Sequence, residues 1–246
     1  DPKVILAELT GRETGISKGK GGSMHMFSIE HGFFGGHGIV GAQVPIGAGL
    51  AFAHKYRKND NVSLTYFGDG AVNQGQVYES FNMARLWNLP VIFVIENNQY
   101  AMGTSIARSS SEVELFRRGE SFKIQGEMID GMDVLAVREA AARAVAKCRK
   151  GEGPVLLEMK TYRYRGHSMS DPAKYRSKEE VSKMRAEFDP IDQVKNRILE
   201  GKIMSEDELK AIDKELKAIV SEAADFAQTS AEPAPSELYT DILVAE

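Results

Sequence analysis

The chain has 246 residues, 42% of them hydrophobic and 27% charged, which is enough apolar content for a sizeable core and reads as one soluble globular domain with appendages. Its net charge of -4 offers no basic excess to neutralise a phosphate backbone, which excludes nucleic acid as a partner class. No apolar run reaches the roughly 18 residues a bilayer span needs, and the amino terminus lacks a basic-then-apolar signal layout, so no membrane role and a cytoplasmic location are expected.

In chain order, Asp1-Pro2 leads into Val4-Ile5-Leu6-Ala7 without a start methionine, the look of a fragment. From Gly11 to Gly49 glycines are dense, which suits backbone turning closely around a ligand, and regular structure is not expected in the first half of that stretch. Helical apolar spacing runs from Gln43 to Lys55, and a strand with aromatic and β-branched content from Val62 to Phe67. A helix follows from Gln76 to Trp87, with Tyr78, Phe81, Met83 and Leu86 on one face. The run Val91 to Ile95 is apolar throughout, as a strand buried on both faces is. Val134 to Arg149 reads as a helix and Val155 to Met159 as another strand. Strands alternating with helices predict an α/β fold: an open, mainly parallel sheet with helices on both faces, binding ligands beyond the carboxyl ends of its strands.

After Asp189 the composition turns charged and helical. Leu209, Ile212, Leu216, Ile219, Ala223 and Phe226 form one apolar stripe, suited to packing on the chain's own domain or on a partner subunit. Ala231-Glu-Pro-Ala-Pro235 ends that helix before a short apolar tail. The expected division is an α/β domain over 1–188 and a helical carboxy-terminal region over 189–246. The single cysteine, Cys148, sits among alanines in a helical run and reads as a packing residue. His25, His31, His37, His54 and His167 show no paired spacing that would hold zinc.

The chemistry concentrates after two strands. Gly68-Asp69-Gly70-Ala71 follows the first, and Glu96-Asn97-Asn98-Gln99-Tyr100 closes the second, 29 positions on from Asp69 to Asn98. One β-α-β crossover brings both clusters to the same sheet edge. A diphosphate held through magnesium needs a hard carboxylate oxygen, neutral oxygen ligands and free backbone N–H groups. Asp69 supplies the first, the Asn98 side chain and Tyr100 carbonyl the second, and Gly70 and Ala71 the third. Gly68-Asp69-Gly70 alone fits an ordinary turn equally well; Asn97-Asn98 at the matching distance distinguishes the two, since the combination arises by chance in on the order of one chain in a thousand.

This pattern resembles the thiamine diphosphate motif of transketolases, pyruvate decarboxylases and 2-oxo acid dehydrogenases. Met24-His-Met26, Gly35 to Gln43, Gly68 to Gly75 and Tyr162 to Asp171 resemble, more specifically, the alpha subunits of the 2-oxo acid dehydrogenase family, of the bacterial, pyruvate-oxidising type. The resemblance implies oxidative decarboxylation of pyruvate with transfer of the acetyl group to a lipoyl domain of the next component. It also implies thiamine diphosphate and Mg2+ as cofactors and a beta subunit in an alpha2-beta2 assembly. Carried over by position, Asp69, Asn98 and Tyr100 match the magnesium ligands, Gly70 and Ala71 the diphosphate contacts, and Gly38 and Val40 the backbone that meets the aminopyrimidine ring. Ser28 matches a further cofactor contact and His167 an active-site histidine. Ser168 and Ser170 match regulatory serines of relatives, while a third such site falls in Ala173-Lys174-Tyr175 and is absent. The family's amino-terminal section with a Tyr-Arg pair and a histidine has no counterpart here, and the acid that activates the aminopyrimidine belongs to the beta subunit. The chain by itself is therefore expected to be inactive.

Branched-chain 2-oxo acid and acetoin dehydrogenases share the cofactor site and stay open as substrate alternatives. Gly36-His-Gly38-Ile-Val-Gly41 also satisfies a dinucleotide-binding fingerprint, but only Phe33-Phe34 precedes it and Asp60 lies before the next strand instead of after it. A non-catalytic scaffold subunit would be expected to lose Asp69 or Asn98, and both are present.

Overall fold

The computed structural model describes residues 1–243. Its contacts divide into two units, Asp1–Gly38 with Gly201–Glu246, and Ile39–Glu200. The expected boundary between 188 and 189 is not where this division falls.

The second unit is built on a four-stranded parallel sheet. Its strands are β1 (Ser63–Gly68), β2 (Val91–Asn97), β5 (Gln125–Asp130) and β6 (Val155–Lys160), in the order β1-β2-β6-β5. Strand β2 lies inside the sheet, and its apolar run Val91 to Ile95 is buried throughout. Edge strand β1 alternates, burying Ser63, Thr65 and Phe67 while Leu64 and Tyr66 stay exposed.

Helices α2 (Gln43–Tyr56) and α3 (Gly75–Leu86) cover one face. Val44 and Ala51 of α2 and Val77, Phe81 and Ala84 of α3 pack there with Phe67, Phe93, Ile95 and Leu156. A Cβ at Gly47 would overlap the Thr65 hydroxyl, so glycine lets α2 lie directly on β1. Phe81 meets Phe93 at 4.8 Å between ring centroids, and neither is exposed. Truncating such a side chain to alanine costs about 3–5 kcal/mol.

The opposite face carries α5 (Val134–Arg149), whose Ala140, Ala144 and Cys148 pack on Ile92, Val94, Val155 and Leu157. Asp133 caps α5 by accepting from the Leu135 and Ala136 N–H groups, and it pairs with Arg197 at 2.6 Å. That guanidinium, with the capped N–H groups, holds the Asp133 carboxyl down at about 2. The α/β architecture with helices on both faces is thus the one the alternation predicts, and Cys148 is a buried packing residue.

Several elements were not legible in the sequence. Strand β5 reads Gln-Gly-Glu-Met-Ile-Asp and buries only Ile129, because it is an edge strand with little apolar content. The hairpin of β3 (Tyr100–Ala101) and β4 (Thr104–Ser105), with the short helix α4 (Ile106–Ser109), is too brief to carry a period. Helices α6 (Lys178–Phe188) and α7 (Pro190–Glu200) complete this unit.

In the first unit, α1 (Pro2–Leu9) packs on α8 (Glu206–Thr229). Ala7, Ala223 and Ala227 are buried, and Lys3 Nζ reaches Glu222 Oε1 at 2.7 Å. The stripe predicted on α8 divides: Ala223 is buried and Phe226 half-buried, whereas Ile212, Leu216 and Ile219 are exposed. The glycine-rich stretch is irregular because its donors go to a carboxylate. Buried Glu8 accepts from the N–H groups of Ser17 and Gly19 at 2.8 Å, Gly21 at 2.7 Å and Gly22 at 3.1 Å.

Candidate functional site

Parallel pairing of β1 with β2 sets Gly68 opposite Glu96, so the residues that follow both strands emerge side by side at one sheet edge. Asp69 leaves β1 there and is 3% exposed. Burial pushes its carboxyl up from the ordinary range, against the lowering effect of its own and Asn98's backbone N–H groups and of the Arg163 charge. A buried acid in this state gains from a cation brought beside it.

Two neutral oxygens adjoin it in sequence order after β2. Asn98 Oδ1 accepts from the Tyr100 N–H at 3.2 Å, closing a tight turn and keeping a second lone pair. The Tyr100 carbonyl, in β3, accepts from Arg163 Nη1 at 3.3 Å. Gly70 and Ala71 open a single 3-10 turn, Ala71–Asn73, and Ala71 is buried. A Cβ at Gly70 would come within 2.5 Å of the Ala101 Cβ, so glycine lets the Asp69 turn press against β3.

Among the described residues no group of three His, Cys, Asp or Glu side chains is placed to hold a metal. That accords with the donor set here, a single acid with neutral oxygens. Such a set suits magnesium shared with a ligand's phosphate oxygens and is too weak for an all-protein cage.

The remaining predicted residues lie in other settings. The Val40 carbonyl accepts from Gln76 Nε2 at 2.9 Å, and its side chain is exposed. His167 is exposed on the loop after β6; its N–H donates to Asp171 Oδ2 at 2.7 Å, and Ser168 Oγ and Ser170 Oγ lie 3.1 Å apart. Ser28 and Gly38 belong to the first unit, where Ser28 Oγ meets His31 Nδ1 at 2.7 Å and Gly38 adjoins the His25 ring.

Three residues that the sequence reading passed over are tied to the cluster. Arg163 reaches the Tyr100 carbonyl, the Met102 carbonyl at 2.6 Å and Tyr175 Oη at 2.6 Å. Tyr175 Oη in turn donates to Asp171 Oδ2 at 2.7 Å, so the Asp69 cluster and the His167 loop share one chain of hydrogen bonds. The backbone N–H groups of His167 and Ala173 also converge on Asp171, and with the Tyr175 hydroxyl they hold its carboxyl down at about 2. Glu158, within β6, is 1% exposed and bonds Asn97. A glutamate inside an otherwise apolar strand was the available signal.

Fold and site together define a parallel α/β protein with an acid and neutral oxygens gathered where two adjacent strands end. The dehydrogenase E1 component family matches residues 1–236. The chain is 68% identical over 240 residues to the pyruvate dehydrogenase E1 component subunit alpha of Rhizobium meliloti (strain 1021), covering 98% of this chain and 69% of that protein. It is 61% identical over 246 residues to the subunit of the same name from Zymomonas mobilis subsp. mobilis, covering 100% and 69%. To the mitochondrial subunit alpha of Sminthopsis macroura it is 53% identical over 235 residues, covering 95% and 64%. The chain belongs to the dehydrogenase E1 component family.

Proposed function

We propose that this chain is the alpha subunit of the decarboxylating component of a pyruvate dehydrogenase complex, acting in the cytoplasm with a beta subunit in an alpha2-beta2 assembly. The observation that carries the reading is Asp69, a buried acid with a raised pKa at the sheet edge where the chain after the adjacent strand β2 presents Asn98 and Tyr100. The names of the relatives support pyruvate as the substrate.

In this reading Asp69, the Asn98 side-chain oxygen and the Tyr100 carbonyl hold magnesium, and the N–H groups of Gly70 and Ala71 meet the diphosphate. Arg163 holds the Tyr100 and Met102 carbonyls and the Tyr175 hydroxyl in place, and the second lone pair of the Tyr100 carbonyl would serve the ion. Thiamine diphosphate, when bound, supplies the carbanion chemistry of 2-oxo acid decarboxylation. Backbone at Val40 would orient its ring. His167 carries a hydrogen-bonding side chain toward the entering substrate. The acetyl product passes to a lipoyl domain, and Ser168 and Ser170 are positions where a phosphate would disturb the loop.

The test is reconstitution of the full-length alpha chain with a beta subunit, assayed with thiamine diphosphate and magnesium on pyruvate, branched-chain 2-oxo acids and acetoin. Turnover of pyruvate is the expected result. Preference for either alternative would reassign the substrate, and inactivity on all three would sink the enzymatic reading.

A further inference from the structure

Glu158 is buried in the interior strand β6, and among the described residues it makes no ion pair. A charge without a counter-charge in such a place costs stability, and replacing it by an apolar residue would be the simpler way to build a core. Its contacts indicate what it does instead. Oε1 accepts from Asn97 Nδ2 at 2.6 Å, and Oε2 accepts from the Phe116 N–H at 2.8 Å. Asn97, 3% exposed, uses its own Oδ1 to accept from the Gln99 N–H at 2.9 Å. The turn 97–100 is therefore fixed twice over, by Asn97 on Gln99 and by Asn98 on Tyr100.

The two acceptors of Glu158 face two donors that cannot reverse roles. The Phe116 N–H only donates, and the Asn97 amide must point its nitrogen at Glu158 so that its oxygen can serve Gln99. Only a side chain with two acceptors satisfies both. We propose that Glu158 is a positioning residue for the cation: through Asn97 it locks the 97–100 turn so that Asn98 Oδ1 and the Tyr100 carbonyl are set before the ion binds. The inference rests on the magnesium role proposed for Asp69, Asn98 and Tyr100. It also accounts for a glutamate standing in the same strand as buried Leu156 and opposite buried Ile95 of β2.

The arrangement predicts the outcome of a polarity swap. In Glu158→Gln the single remaining acceptor can serve Phe116 or Asn97 but not both, and flipping the Asn97 amide to compensate strips Gln99 of its acceptor. In Asn97→Asp two carboxylates face each other across the same gap. With both substitutions, the amide introduced at position 158 would donate to the carboxylate introduced at position 97 and accept from the Phe116 N–H. That carboxylate would still accept from the Gln99 N–H, so every bond is restored with donor and acceptor exchanged.

The experiment uses the full-length alpha chain assembled with its beta subunit, in wild-type, E158Q, N97D and doubly substituted forms. Calorimetric titration with thiamine diphosphate and magnesium gives Kd, and the magnesium dependence of turnover gives an activation constant and a kcat. Both single variants are expected to bind about 10–100-fold more weakly, the range for partners that orient metal ligands. The double variant is expected to recover to within a few-fold of wild type. The activation constant should move while kcat at saturating magnesium stays near wild type, whereas a merely structural role would lower the active fraction at an unchanged constant.

Wild-type affinity in E158Q, or a double variant as weak as the singles, would overturn the inference. Should E158Q fail to assemble, the double variant decides alone, because its bonds are complete: near-wild-type binding upholds the proposal and weak binding overturns it. A wild-type assembly that bound no cofactor with magnesium would overturn the functional reading and this inference together.

Discussion

The Asp69 cluster and the His167 loop are joined by Arg163 and Tyr175, yet they treat their carboxylates in opposite ways. Asp69 is buried without sufficient donors, and its pKa rises. Asp171 accepts from three donors of its own loop, and its pKa falls to about 2. The first charge is unbalanced until something binds; the second is balanced already by the fold. The buried strand end therefore leaves Asp69 open to a counter-charge, the feature on which the proposed magnesium role rests, while the exposed loop spends its charge on its own order.

The comparison breaks most completely at Asp69. Asp69→Asn is expected to abolish magnesium-dependent cofactor binding, a loss beyond the ~10–100-fold of partners that only orient ligands. The melting temperature without ligand should stay level or rise, because a costly buried charge has gone. Calorimetry and thermal melts on the same sample check both halves. A large fall in melting temperature would show that the charge serves the fold.

Asp171→Asn should act in the other sense. Losing a shared acceptor for His167, Ala173 and Tyr175 loosens the loop, and limited proteolysis between Tyr162 and Arg176 should accelerate on the order of 10-fold with little change in cofactor affinity.

The two acids also separate by pH. Asp171, depressed in the fold, lends the loop order that is full above the ordinary 3.8 and lost as pH falls toward about 2, so cleavage by an acid protease should rise across that window. Asp69, raised in the fold, disfavours the unliganded protein as pH rises through its folded pKa. With the proposed magnesium role, protons would compete with the ion there, and cofactor affinity should weaken at higher pH values than those that release the loop. Titrations over an acid series test this; coincident midpoints would contradict it.

Gly70→Ala should have a smaller effect. Its Cβ, 2.5 Å from that of Ala101, shifts β3 and with it the Tyr100 carbonyl, and a several-fold weaker Kd is expected. Smallest is Ser168→Ala, whose exposed hydroxyl meets only Ser170 among the described residues; stability should change by no more than about 0.5 kcal/mol.

How much of this was legible in the sequence depends on the range of the interactions. The pair Asp69 and Asn98 could be placed because β1, α3 and β2 are contiguous and each declares its own period. Arg163 and Glu158 could not, since Arg163 meets Tyr100 across 63 positions and Glu158 meets Asn97 across 61. Such contacts follow from β6 lying beside β2, which no local pattern specifies. Strand β5 escaped for another reason: an edge strand that buries Ile129 alone shows no apolar period. His167 was legible as a motif, but its exposure and the Asp171 anchor are products of the folded loop.

The order β1-β2-β6-β5 has one further consequence. As the chain leaves the ribosome, β2 is made long before the strand that will shield its second edge, and the whole of β5 and α5 must follow before β6 can insert between β2 and β5. Pairings of this span close slowly, because the loop entropy is lost before the contacts form. Until Lys160 has emerged, the 97–100 turn lacks the Glu158 carboxylate that steadies it through Asn97. A nascent chain can thus assemble the strand-helix-strand half of this sheet edge early, and the turn beside Asp69 is braced only when the last-made strand of the sheet arrives.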